Sequence, residues 1–214
     1  MQESIGIVGL GIMGSSFARH LLAAGRQVAG FDPHPSARER FAAMGGDPCD
    51  SAAYVAKRCT LILSCLPGEA ALEQTALQIS SLAGVSDKRI VLIECSTLSV
   101  AAKLRAAEQL QRRGAVMLDC PVSGTGVQAA NRDVVFYASG DKEAFAMAEP
   151  RLALLGRQTF YLGEFGNGTR MKLLANLLVS IHNVAAAEAI VLARKAGMDL
   201  DIMTQAVSAG AGTS

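Results

Sequence analysis

Gly9-Leu10-Gly11-Ile12-Met13-Gly14 spaces its glycines as G-x-G-x-x-G. In that pattern a strand turns sharply into a helix, and the bare backbone lets a pyrophosphate come close to the free N–H groups of the helix start. The context fits: the apolar run Ile5–Val8 precedes the glycines, a helix over Ile12–Ala24 follows, and a second apolar run, Gln27–Phe31, ends at Asp32. The offset is close to the roughly twenty residues expected of an acidic group that meets an adenosine ribose. Gly9, Gly11, Ile12, Met13, Gly14 and Asp32 are therefore assigned to a dinucleotide. An ionised Asp32 would accept hydrogen bonds from both ribose hydroxyls and repel a 2′-phosphate, which predicts NAD, while His34, Arg38 and Arg40 leave NADP open. Three other readings compete: a glycine-rich turn without ligand, an Asx turn at Asp32 before Pro33, and an S-adenosylmethionine site using a similar loop and acid.

Two further places could do chemistry. Ser123-Gly124-Thr125 follows a predicted strand, and a hydroxyl beside consecutive amides in a glycine turn forms a concavity suited to a carboxylate, or simply a capped turn. Lys172 and Asn176 fall at i and i+4 of a predicted helix, with Ser180 and Asn183 continuing the stripe on an otherwise apolar surface. Such a stripe is either a solvated face or the lining of a polar cleft.

These residues need elements to hold them. Ile5–Val8, Gln27–Phe31, Leu61–Leu66, Ile90–Ile93, Val116–Leu118, Val134–Ala138 and Thr159–Leu162 read as strands alternating with amphipathic segments. That alternation predicts an α/β fold with a mostly parallel, Rossmann-type sheet. Helix signals agree: Pro35-Ser36 and Asp50-Ser51 open two helices, and Gly25 and Gly114 close two others. After about residue 165 the pattern changes to a long helix, Thr169–Ala196, with a shorter one from about Asp199. We expect a dinucleotide-binding domain over residues 1–165 and the first helices of an all-α domain over 166–214. Two helices do not easily close a core, so this second part is expected to be incomplete and to need cover from elsewhere.

Composition narrows the function. Half of the 214 residues are hydrophobic and 18% charged, which excludes disorder. A formal charge of +1 with scattered charges offers no nucleic-acid groove or anionic membrane surface. The start lacks a basic secretory leader, and no unbroken apolar run approaches the roughly 18 residues of a spanning helix. Five cysteines at irregular spacing suggest neither a disulfide framework nor a zinc site, and so a reducing, cytoplasmic setting without metal. The three histidines read as structural, and Cys65 and Cys120 as packing residues.

Four motifs in order carry a resemblance: Gly9–Gly14, Asp119-Cys-Pro-Val-Ser-Gly124, Gly166-Asn-Gly-Thr-Arg-Met-Lys172, and Lys172-Leu-Leu-Ala-Asn176. From residue 4 to the end the chain resembles the β-hydroxyacid dehydrogenase family, which includes 3-hydroxyisobutyrate dehydrogenase and tartronate semialdehyde reductase and, more distantly, 6-phosphogluconate dehydrogenase. The resemblance implies an NAD(P)-dependent oxidoreductase acting on a small hydroxy acid. Lys172 would be its catalytic acid and base, Asn176 would orient substrate, and Ser123 with Gly124 and Thr125 would hold the substrate carboxylate. Cys65, Leu66, Pro67 and Thr97 would lie along the cofactor. One departure is Thr125, where the family usually has a second glycine, so its side chain is expected to crowd the substrate. The family's later helices and second subunit imply self-association through Leu173, Leu177 and Ile181, and low turnover for this chain alone. Two rivals are a dinucleotide-binding module without turnover and an imine reductase, which typically replaces the lysine.

Overall fold

The computed structural model describes residues 4–81 and 89–210. Six short strands form one parallel sheet: β1 (Ile5–Val8), β2 (Val28–Phe31), β3 (Asp47–Pro48), β4 (Leu61–Ser64), β5 (Val91–Glu94) and β6 (Val116–Asp119). Their spatial order is β3-β2-β1-β4-β5-β6, so the chain reverses direction across the sheet between β1 and β4. A crevice at the carboxyl ends of the strands opens at such a reversal. Helices α1 (Ile12–Ala23), α2 (Pro35–Ala43), α3 (Ala52–Arg58), α4 (Glu69–Ser80) and α5 (Val100–Gln111) make the crossovers.

Because strand side chains alternate, two cores form. Ile7, Leu63, Ile93 and Leu118 pack in one buried cluster, and Val8, Ile62, Leu92 and Met117 in the other. The register pairs Ile7 with Leu63, Leu63 with Ile93 and Ile93 with Leu118 in the first set, and Ile62 with Leu92 and Leu92 with Met117 in the second. Burial on both faces explains why these strands read as continuous apolar runs.

The mostly parallel sheet is as expected, but the last two of the predicted strands, Val134–Ala138 and Thr159–Leu162, lie outside it. β7 (Val122–Ser123), β8 (Val135–Ala138) and β9 (Gln158–Tyr161) form a separate three-stranded sheet, with β7–β8 antiparallel and β8–β9 parallel. No helix separates β6 from β7, so the parallel order cannot continue there. β3 and β7, two residues each, are too short to show alternation in sequence. Helix α6 (Gly126–Ala130) connects β7 to β8, and α7 (Lys142–Leu152) connects β8 to β9.

The predicted long helix is α8 (Asn167–Lys195), followed by α9 (Leu200–Ala209), whose N-cap Asp199 accepts from the N–H groups of Asp201 and Ile202. Two compact units meet between Lys172 and Leu173. The first turn of α8 thus belongs with the sheet, seven residues beyond the boundary expected at 165. Thr169 N and Oγ1 donate to Asp119 at 2.7 Å each, which ties that turn to the end of β6. By length and mean hydropathy alone α8 could cross a membrane. Its apolar run is broken by Asn176, Ser180, His182, Asn183 and Glu188, which is why a search for an unbroken stretch passes over it.

Candidate active site

The glycine loop is built by exclusion. Gly9 has φ +90°, and a Cβ there would lie 2.2 Å from Cys65 O; one at Gly14 would lie 1.9 Å from Gly9 O. Both contacts are with backbone, so neither position tolerates a side chain. A Cβ at Gly11 would meet nothing within 4 Å. The middle glycine therefore faces open space, as it must if a diphosphate is to approach the backbone. The N-cap of α1 makes no side-chain cap, leaving the positive end of the helix available to an anion.

Asp32 follows β2 and is nearly buried. Its Oδ2 accepts from Leu10 N at 2.8 Å and its Oδ1 from His34 N at 2.9 Å. It thus makes the anticipated Asx turn and also fastens the glycine loop. Each oxygen keeps a further acceptor position for a ribose hydroxyl. Arg38 Nη1 donates to Asp32 O at 2.7 Å and Pro33 O at 3.3 Å.

A cavity of about 670 Å³ joins these parts. It is lined by Gly9, Gly11, Ile12, Met13, Gly14 and Asp32, by Cys65, Leu66, Pro67, Ser96 and Thr97 at the ends of β4 and β5, and by Val122, Gly124 and Lys172. Leu66 N donates to Ser96 Oγ at 2.7 Å, which ties the two strand-exit loops together. The glycine loop, the strand exits and the lysine, predicted separately, open on one space. Ser123 and Thr125 are not among its lining residues. Thr125 instead caps α6 in a reciprocal box: its Oγ1 accepts from Gln128 N at 3.3 Å, and its own N–H donates to Gln128 Oε1 at 2.9 Å. That side chain caps the helix because an N-cap threonine with glutamine at the third helical position satisfies two orphan N–H groups at once.

Sequence reasoning missed one wall of this cavity. Ala71, Gln74, Thr75 and Gln78 line it from α4. Their spacing of i, i+3, i+4 and i+7 is a helix face, and its polar members were a legible signal. His34, expected to be structural, also lines the cavity. His20 is structural: its Nε2 lies 2.8 Å from Ala129 O.

A second missed group lies beneath. Lys103 on α5 is fully buried, with Nζ 2.6 Å from Glu94 Oε2 and 2.8 Å from Asp119 Oδ1, and it donates to Ser96 O at 2.7 Å. Asp119 in turn receives Thr169, and Ser139 Oγ accepts from Gly168 N at 2.9 Å. A Cβ at Gly168 would meet Tyr137 O at 2.2 Å, so only glycine allows α8 to start this close. One ammonium thereby joins the end of β5, the end of β6 and the helix turn that leads to Lys172. Burial pulls the Lys103 ammonium down, but its two carboxylates outweigh this and hold it above its usual range. Burial pushes Glu94 up against the pull of Lys103 and Ser96.

Lys172 is half-buried, and that burial lowers its amine below the ordinary lysine value of 10.5. Asn176 is exposed and lies one helical turn further on, in the second unit.

Residues 4–163 match the family model described as the NAD binding domain of 6-phosphogluconate dehydrogenase, and residues 166–214 match that described as NAD-binding of NADP-dependent 3-hydroxyisobutyrate dehydrogenase. The chain is 33% identical to L-threonate dehydrogenase of Cupriavidus necator, covering all of this chain and 72% of that one. It is also 33% identical to glyoxylate/succinic semialdehyde reductase 2 of Arabidopsis thaliana, covering 97% of this chain and 58% of that one. Among solved structures it resembles Mycobacterium tuberculosis 3-hydroxyisobutyrate dehydrogenase with L-serine, at a TM-score of 0.91 and 28% identity, over all of this chain and 72% of the other. Imine reductases of 20–22% identity share the fold.

Proposed function

The chain belongs to the β-hydroxyacid dehydrogenase family of NAD(P)-dependent oxidoreductases, and from that premise we propose that it interconverts a small β-hydroxy acid with its semialdehyde or keto acid, using Lys172 as general acid and base. The observation that carries this reading is the half-buried amine of Lys172 on the cavity that the glycine loop and Asp32 also line. The relatives' named substrates support the class, since each pairs a hydroxyl or carbonyl with a carboxylate.

In this reading the N-terminus of α1 and the space over Gly11 hold the diphosphate, and Asp32 receives the ribose, with NAD favoured over NADP. Bound nicotinamide supplies the hydride acceptor or donor. In the oxidation, neutral Lys172 Nζ takes the hydroxyl proton as the carbon loses hydride; in the reduction, the ammonium returns a proton to the forming alkoxide. An amine of ordinary pKa would be protonated almost throughout the neutral range, so its lowering by burial aids the oxidation. Gly124 borders the cavity at the segment proposed, with Ser123, to hold the substrate carboxylate. The orienting role of Asn176 belongs to the same proposal.

Lys172→Ala is expected to lower kcat by about 10²-fold or more with little change in NAD affinity, since the amine acts on the substrate proton. In the unaltered chain, the oxidation rate is expected to rise with pH through one ionisation below 10.5 that Lys172→Ala removes. Steady-state kinetics on a panel of hydroxy acids, with titration calorimetry for NAD, checks both; undiminished turnover in Lys172→Ala would exclude this role for the amine. Dinucleotide binding without turnover is the second reading, favoured by the exposed apolar surface of the second unit, and the same assays separate the two.

A further inference from the structure

Three of the five cysteines stand side by side beneath the cavity. Beyond the pairs Ser64–Glu94 and Glu94–Asp119, the ladder continues for one more residue. Cys65 N donates to Val8 O, Cys95 N to Ser64 O and Cys120 N to Glu94 O, each at 2.9 Å. Cys65, Cys95 and Cys120 therefore occupy one level of three adjacent parallel strands, about 4.8 Å apart from strand to strand. Cys95 and Cys120 belong to one core cluster, and Cys65 packs against it, so all three lie on the same face of the sheet. The Cys95 thiol stands between those of Cys65 and Cys120, each near enough to act on its ionisation, and its own Sγ–H donates to Ile93 O at 3.6 Å. A spacing of about 4.8 Å falls inside the range of Cα separations that a disulfide bridges.

The three thiols are not equivalent. Cys65 is partly exposed, and it lines the cavity together with Cys95; Cys120 is fully buried. Hydrogen bonds from Cys120 and Cys65, with help from the Lys103 charge, hold the Cys95 thiol well below its ordinary range against the effect of burial. Its hydrogen bond with Cys95, and then burial, hold Cys65 above that range. Of the row, Cys95 is the one suited to act as thiolate, and Cys65 is the neighbour reachable from solvent.

We propose that Cys95 and Cys65 form a peroxide-reactive thiol pair in the wall of the dinucleotide cavity, shielded whenever the dinucleotide is bound. The Cys95 thiolate attacks one oxygen of hydrogen peroxide, the O–O bond breaks, and Cys95 becomes a sulfenic acid while the departing hydroxide takes the proton released by the thiol. The Cys65 sulfur then attacks the Cys95 sulfur, the S–O bond breaks, and the second hydroxide leaves with the Cys65 proton. Two thiols lose two electrons and two protons, and one peroxide becomes two waters. The bond would lock the end of β4 to that of β5. Gly9 packs on the carbonyl of Cys65, so this constraint reaches the glycine loop directly. The shielding part rests on the dinucleotide reading of the cavity.

The test treats the reduced chain with hydrogen peroxide, with and without NAD, then alkylates it and maps the peptides by mass spectrometry. A Cys65–Cys95 linkage reversed by dithiothreitol is expected, together with weaker NAD binding. NAD at 100 times its Kd is expected to slow the linkage about 100-fold, since about 1% of the chain remains unbound. Cys95→Ser should abolish the linkage, Cys65→Ser should leave a Cys95 sulfenic acid that dimedone traps, and Cys49→Ser should change nothing. A Cys95 that stays alkylatable after peroxide, or a Cys95–Cys120 linkage in place of the expected one, overturns the proposal. A Cys65–Cys95 linkage in a chain shown by calorimetry to bind neither NAD nor NADP supports the thiol pair and overturns the dinucleotide reading. Linkage at an undiminished rate in a chain that does bind NAD overturns the shielding.

Discussion

The two units of this chain use apolar residues in opposite ways. In the first, Leu63, Leu92 and Phe136 are completely buried, and the strands form two cores on opposite faces of one sheet. In the second, Leu173, Leu177 and Ile181 are 53%, 55% and 52% exposed, and their helix carries apolar residues on most of its circumference. A helix that is apolar all round is built to be covered on more than one side. The difference shows that hydrophobicity counted along a sequence measures the demand for cover, whereas periodicity tells which surface the same chain can supply.

The largest effect that would break this comparison concerns the one buried cation of the first unit identified above. Lys103→Met is expected to destabilise the fold by about 3–5 kcal/mol, because it leaves Glu94 and Asp119 buried without their counter-charge. Urea unfolding followed by circular dichroism measures this, and a loss below about 1 kcal/mol would show that the carboxylates find other partners. The same trio has a pH signature. The Lys103 amine is held above 10.5, so its contribution is complete below that value and is lost as alkaline pH passes through the raised pKa.

Next in size is a pair of truncations. Leu92→Ala should cost about 2–5 kcal/mol, while Leu177→Ala should stay within about 0.5 kcal/mol of the unaltered chain at concentrations where it is monomeric. We propose that the chain self-associates through the Leu173, Leu177 and Ile181 surface, as the family resemblance implies, so that at higher concentration Leu177→Gln should weaken the association. Sedimentation over a concentration series tests it; a chain that stays monomeric at every concentration rules that surface out as a homodimer face.

The smallest effect sharpens the comparison by showing where the units agree. Ser51 caps α3 by accepting from Tyr54 N, and Asp199 caps α9 by accepting from two N–H groups. Replacing either residue with alanine should cost about 1 kcal/mol. Helix ends are local, so the units should not differ there. Thermal melts of the two variants provide the measurement.

What could be read in advance follows the same division between local and distant. The glycine loop, Asp32, the caps at Ser51 and Asp199, and the long helix were legible because each is set by residues close together in sequence. The sheet order was legible only as a class. The separate sheet of β7, β8 and β9 was hidden because β7 is two residues long and its pairing with Val135 and Phe136 is set in space. The Lys103 group was hidden because a helical lysine reads as solvated, although Lys103 shares its buried face with Ala102, Ala106 and Leu110. The capping role of Thr125 was there to be read, since Gln128 three residues later marks a capping box.

Asp32 has a consequence for anyone who would redesign the cofactor preference. Exchanging this acid for a neutral or basic residue is the obvious route from NAD toward NADP. Here the carboxylate also accepts from Leu10 N inside the glycine loop and from His34 N at the start of α2. Removing it would leave two backbone donors without acceptors, one of them inside the glycine loop. Asparagine keeps one acceptor oxygen but turns an NH₂ toward the other donor. A successful exchange must therefore supply a replacement acceptor for Leu10 N before any new charge can be judged on its merits.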